Sequence, residues 1–204
     1  MHILLIRHGE TDWNTERRIQ GNTDTPLNAT GLAQAKRLAT RIAAAEKIDA
    51  LYTSPLARAR MTADMIAQQC GIVATPDDRL KEKALGDLEG LTIVEFEQHY
   101  PELHRGWLNS VEHFPLPNEE TPMQLHERIE TFLADLRVRH LNGTRVGVVS
   151  HGGTISMFVS MLIGLETNKR SPFWFDNASI TTVDLSGSRP RIRLLNDTCH
   201  LNGK

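Results

Sequence analysis

The stretch ILLIRHGETDWN, residues 3–14, decides how the rest of the chain is read. Four consecutive aliphatic residues, Ile3 to Ile6, describe a strand covered on both faces, as in a parallel sheet flanked by helices. The strand ends on Arg7, His8 and Gly9 rather than on ordinary turn residues, so it delivers a cation and an imidazole to one place. Glycine there lets the backbone turn sharply and lets a ligand approach it. A second stretch has the same form. VGVVSHGG, residues 146–153, places His151 and Gly152 after an apolar run. If the two strands are parallel neighbours, their imidazoles meet.

Outward from these strands the pattern alternates. Leu32, Ala35, Ala39 and Ile42 share one helical face. DALYTSP (49–55) reads as a second strand, with Ser54 as N-cap and Pro55 at the first position of a helix running to about Gln69. GIVATPD (71–77) holds a short third strand. Residues 83–120 show no single period and read as a lid of short helices and loops. Thr121-Pro122-Met123-Gln124 fits a capping box before a helix with Leu125, Ile129, Phe132, Leu133 and Leu136 on its core face. Asn142-Gly143 is its expected stop. RVGVVS (145–150) is a strand, and GGTISMFVSMLIG (152–164) a helix. SITTVDL and RIRLLN, joined by SGSRP, form an antiparallel hairpin. The expected architecture is a three-layer α/β/α sandwich around a mostly parallel sheet with an antiparallel edge hairpin, one domain over residues 1–204. Sites in such sheets lie beyond the carboxyl ends of the strands.

SPLARAR (54–60) adds a cation. With Ser54 as N-cap, Arg58 ends the first helical turn and leans back toward a helix N-terminus, which favours an anion. Arg60, roughly 200° further round the helix, faces elsewhere. Arginines suit phosphate through bidentate hydrogen bonds. A neutral imidazole is a nucleophile, and flanking arginines disfavour its protonation. A leaving alkoxide needs a proton, for which Glu10, Glu82 and Glu89 are candidates, with Glu82 in an irregular segment just after the third strand.

Composition narrows the function. A chain of 204 residues with formal net charge -2 has no overall basic field to draw nucleic acid or an anionic membrane. No apolar run reaches the length of a membrane span, and Met1-His2-Ile3 enters a strand at once, without a leader pattern. The chain therefore reads as cytoplasmic, with Cys70 and Cys199 as reduced thiols. Glycosylation patterns at Asn28, Asn142, Asn177 and Asn196 read as chance on that view. No Walker-type GK[ST] occurs. The nine histidines show no metal-ligand spacing, so neither a metal nor another cofactor is expected.

Five ordered stretches, RHGETDWN, RIQGNTDTPLNATGLAQA, LYTSPLARARMTA, LKEKALGDLEG and VVSHGGTI, resemble the motifs of the histidine phosphatase superfamily, the phosphoglycerate mutase-like group. The tail FDNASITTVDL…LLNDTCHL resembles its phosphatase members. The resemblance implies that His8 is the phosphorylated nucleophile. Arg7, Arg58 and His151 clamp the phosphoryl group, and Glu82 is acid and then base. Asn14, Gln20, Gly21 and the Gly152 backbone match positions that touch phosphate or substrate. Two departures stand out. Many members carry Gly-Glu-Ser where this chain has Glu119-Glu120-Thr121. The family's metal-independent phosphoserine phosphatases carry a histidine where this chain has Leu85.

The expected function is a phosphomonoesterase acting on a small phosphorylated metabolite, as a monomer or homodimer. The alternative is a phosphoglycerate mutase, an isomerase with the same phosphohistidine chemistry. Mutases of the family usually carry a longer insertion after the acidic residue, and the compact 83–120 segment favours the phosphatase. Specificity is expected from that segment, with Trp13, Leu85, Phe96, Trp107 and Phe114 as either substrate walls or the lid's own core.

Overall fold

Alternation along the first strand organises two hydrophobic layers. The computed structural model describes residues 1–140 and 143–202. The six strands are β1 (His2–Arg7), β2 (Ala50–Thr53), β3 (Ala74–Pro76), β4 (Arg145–Ser150), β5 (Ile180–Asp184) and β6 (Arg191–Asp197). They lie in the order β3-β2-β4-β1-β5-β6. β1, β4, β2 and β3 run parallel. β5 is antiparallel to both β1 and β6, which gives the expected edge hairpin.

The helices are α1 (Asp12–Thr15), α2 (Ala29–Ala45), α3 (Ala57–Cys70), α4 (Ile93–His99), α5 (Pro101–Asn109), α6 (Pro122–Arg139) and α7 (Gly152–Leu162). Ile3 and Leu5 of β1 join Leu125, Ile129, Phe132 and Leu136 of α6 and Ile155, Phe158 and Val159 of α7 on one face. Leu4 and Ile6 join Leu38 and Ile42 of α2 and Ala59, Ala63 and Ile66 of α3 on the other. Successive residues of one strand thus bury against opposite helical layers, which is why the strand is apolar without interruption. Leu88, Phe96 and Leu116 form a third, smaller core with Tyr100, Trp107 and Phe114 inside the 83–120 segment.

Several local expectations need correction. α3 begins at Ala57 behind Leu56, and Ser54 makes no cap to it. The Ala57 N–H goes instead to the Asp24 carboxylate at 2.6 Å, and Ser54 is turned to another partner. Arg58 is therefore the second residue of the helix, not the end of its first turn. α2, capped by Asn28, whose side chain accepts the Gly31 N–H, buries Ala35, Leu38, Ala39 and Ile42, and leaves Leu32 exposed rather than on that face. α6 ends at Arg139, short of the expected stop, of which Asn142 lies outside the described residues. The short α1, capped reciprocally by Thr11 and Asn14, is an element for which the sequence reading has no counterpart. Among the described residues no helix is long and apolar enough to cross a membrane. Cys70 and Cys199 are both free thiols.

Candidate active site

β1 and β4 pair in register with Arg7 opposite Ser150, so His8 and His151 leave neighbouring strand ends together. Their ring centroids are 5.1 Å apart. The His8 ring is buried, and its Nδ1 lies 2.6 Å from the Gly9 carbonyl oxygen. A carbonyl only accepts, so Nδ1 carries the proton and Nε2 holds the lone pair. The backbone around this ring is fixed from three sides. Ala178 N–H donates to the His8 carbonyl at 3.0 Å, Asn177 Nδ2 donates to it at 3.2 Å, and Gly9 N–H donates to Thr62 Oγ1 at 3.1 Å. Burial, then the Arg7 and Arg58 charges, hold the His8 pKa well below the ordinary histidine value. The ring is neutral at physiological pH.

Arg58 is only 1% exposed. Its Nη1 and Nη2 donate to the Thr23 and Gly21 carbonyls at 2.8 and 2.7 Å, and its Nε donates to His151 Nδ1 at 3.2 Å. Arg7 donates through Nη1 to the Phe175 carbonyl, while its Nε is buried with no partner among the described residues. A buried, unpartnered guanidinium N–H beside a second buried arginine calls for an anion. Burial lowers the pKa of both guanidinium groups, and the Glu82 carboxylate is the largest influence opposing it. His151 is fully buried. Its Nε2 lies 2.8 Å from Ser54 Oγ, and burial followed by Arg58 and the other nearby positive groups pushes its pKa well down.

Glu82 sits at the N-terminus of α7. Its Oε2 accepts the Gly153 N–H at 3.0 Å, and its Oε1 accepts those of Thr154 and Lys83 at 3.0 and 2.8 Å. These amides hold the carboxylate in place by charge-assisted bonds. The glycine requirement falls on Gly153, where a Cβ would meet Glu82 Oε1 at 2.8 Å. At Gly152 a Cβ would make only ordinary contact with Arg7.

All nine residues named from sequence except His151 line one cavity of about 390 Å³, and His151 lies directly behind it against Arg58 and His8. Asn14 Oδ1 is engaged by the Thr11 N–H and by Asn177 Nδ2, and Gln20 Oε1 by Thr25 Oγ1, which leaves each amide nitrogen for a ligand. Gly21 has φ +50°, and a Cβ there would collide with the Glu89 carboxylate. That carboxylate accepts the Asn22, Thr23 and Leu85 N–H groups and Glu10 is held by Asn28; of the three candidate acids it is Glu82 that lines the cavity. Of the residues expected to set specificity, Leu85 lines the cavity, while Phe96, Trp107 and Phe114 belong to the 83–120 segment's own core. Trp13 lies beneath Arg18 in an adjoining cavity. Arg18, Phe173, Trp174 and Phe175 also line the catalytic cavity and were missed. No spacing rule links residues 173–175 to His8. Only the FDN stretch, whose Asn177 grips the strand end, hinted at them.

The histidine phosphatase superfamily (branch 1) model matches residues 3–198. Phosphoserine phosphatase 1 of Hydrogenobacter thermophilus is 35% identical over 98% of this chain and 93% of its own length. A probable phosphoglycerate mutase GpmB of Escherichia fergusonii is 37% identical over 93% of this chain and 87% of its own. Among solved structures, a mycobacterial glucosyl-3-phosphoglycerate phosphatase in complex with VO3 superposes with a TM-score of 0.85 at 29% identity, covering 96% of this chain and 98% of that one. Motif order, strand topology and whole-length similarity together place this chain in the histidine phosphatase superfamily, branch 1.

Proposed function

We propose that this phosphatase hydrolyses a small phosphate monoester through a phosphohistidine at His8. The observation that carries the reading is the His8 ring itself: neutral, with Nδ1–H held by Gly9, and set against two buried arginines. In the first step Nε2 forms a bond to phosphorus as the ester P–O bond breaks. Arg7 and Arg58 hold the non-bridging oxygens as charge shifts onto them, and His151 behind them steadies Arg58 through its Nδ1. Glu82, which takes up a proton as the anionic ester enters beside it, gives that proton to the departing alkoxide. In the second step Glu82 takes a proton from water, the water oxygen bonds to phosphorus, and the N–P bond breaks. Inorganic phosphate leaves and His8 is again neutral. The Gly9 carbonyl stabilises the ring while it carries the phosphoryl group, because Nδ1–H becomes a stronger donor. Asn14, Gln20, Gly21 and the Gly152 backbone bind the phosphoryl group and the ester oxygen. The arginines supply the charge that a metal ion supplies in other phosphoryl-transfer sites, so no step is assigned to a metal. Residues 83–120 act as a lid within a single domain.

A rapid quench with radiolabelled ester tests this. Acid-labile, base-stable label is expected on the wild type and absent from His8→Ala, with turnover lost alongside it. Near-normal turnover by His8→Ala would refute the mechanism. Free phosphate and both glycerate phosphates, followed in one reaction, separate the two enzyme classes. Phosphate release is expected to outrun isomerisation. Isomerisation that is faster with every ester tried would make the enzyme a mutase.

A further inference from the structure

Beyond the phosphoryl pocket, the large side chains of the cavity wall are mainly apolar, with Arg18, Gln20 and Ser156 between them. Ile19, Leu85, Phe173 and Trp174 line it, and Trp174 is 76% exposed. A single exposed tryptophan is ordinary on a protein surface. This one differs in place and in how it is held. Its indole sits against the Arg7 guanidinium, 5.9 Å from Cζ to the ring centroid. Its Nε1 donates to Asp176 Oδ1 at 3.3 Å. Asp176 in turn receives Asn196 Nδ2 at 2.8 Å and donates its N–H to Asn196 Oδ1 at 2.7 Å. A polar chain from β6 thus fixes a bare aromatic surface at the mouth of the catalytic cavity.

The charges are equally informative. Among the described residues, Arg18 is the one cation besides Arg7 and Arg58 that lines this cavity. It is already paired with Glu16 at 2.9 Å and Glu95 at 3.2 Å, and it donates to the Gly90 carbonyl. Arg17 belongs to the adjoining cavity, and Lys83 is bound to Glu119 at 2.7 Å. A carboxylate close to the phosphoryl group, as in a phosphorylated hydroxy acid or amino acid, would therefore enter beside Glu82 without a cation of its own.

We propose that the cavity selects an uncharged, flat aromatic alcohol as the leaving group, stacked on Trp174, and that Trp174 is the residue that sets this preference. The proposal rests on the phosphatase reading above. Aromatic stacking adds to apolar burial and is made equally in ground and transition states, so it acts through KM rather than kcat.

The test compares 2-naphthylmethyl phosphate, propyl phosphate and O-phosphoserine, three primary alkyl esters whose leaving groups are all alkoxides. The wild type is expected to favour the naphthylmethyl ester over O-phosphoserine in kcat/KM by about tenfold or more. Trp174→Ala should lose roughly tenfold more in kcat/KM on the naphthylmethyl ester than on propyl phosphate, with the difference in KM. Trp174→Phe should recover most of the loss. Equal losses on both esters, or a wild-type preference for O-phosphoserine, would overturn the proposal while propyl phosphate turnover still upheld the phosphatase reading. No turnover of any of the three would overturn both.

Discussion

His151 has both ring nitrogens occupied inside a fully buried site. Arg58 Nε–H points at Nδ1, so the ring proton sits on Nε2 and is donated to Ser54 Oγ. Ser54 also receives the Leu56 N–H at 3.3 Å, so one hydroxyl fixes both the loop before α3 and the second histidine of the site. Truncating it strands a buried N–H. Ser54→Ala is expected to cost about 1–3 kcal/mol of stability and to lower kcat/KM roughly tenfold, because His151 loses its orientation. Unchanged thermal unfolding together with unchanged kcat/KM would show that the contact is idle. At this scale the sequence is legible for His8, Arg58 and His151, because each follows a local signal: a strand end, or a helix start. Ser54 was misread for the same reason. Ser-Pro before a helical pattern points to a cap, and nothing local reveals a partner 97 residues away.

The segment carrying Glu82 is supported by the stretch that departs from the family pattern. Arg128 of α6 grips Glu120 through Nε and Nη2, and donates to the backbone carbonyls of Arg79 and Glu82. Glu119, nearly buried, receives Lys83 Nζ at 2.7 Å and His113 Nε2 at 2.6 Å, and it accepts the Leu116 N–H. The two carboxylates therefore tie the 83–120 segment to the loop that holds Glu82. The capping box at Thr121 was readable because it is local. The carboxylate partners were not, because they come from three separate parts of the chain. Arg128→Met keeps the aliphatic stem and removes the clamp. It should lower kcat by about tenfold with little change in KM, most for esters with poor leaving groups, since these need the proton from Glu82. Glu82→Gln should show the same dependence on leaving group, only larger. A loss of equal size across good and poor leaving groups would mean that Arg128 does not act through Glu82.

The whole molecule was largely legible because its sheet is written in uninterrupted apolar runs, and two of them end alike. That likeness predicted the β1–β4 pairing, and the pairing carries the site. Less legible was the far wall of the cavity, since residues 173–175 reach it by tertiary packing alone. The same arrangement has a consequence for stability. His8 and His151 are buried and both have pKa values well below the reference 6.5. In the unfolded chain each takes a proton near that reference value, while in the fold each stays neutral to lower pH. Below about pH 6.5 the unfolded state binds more protons, so stability must fall as pH falls, and it is restored in full above that value. Each histidine contributes a slope of at most about 1.4 kcal/mol per pH unit in this window. Urea unfolding measured between about pH 8 and pH 5 should give a plateau at the alkaline end and a decline below it. His8→Asn should flatten the decline by about one histidine's share while leaving the plateau region flat. A decline of the same steepness in that variant, or a wild type that gains stability on acidification, would mean that the two rings are not held neutral by the fold.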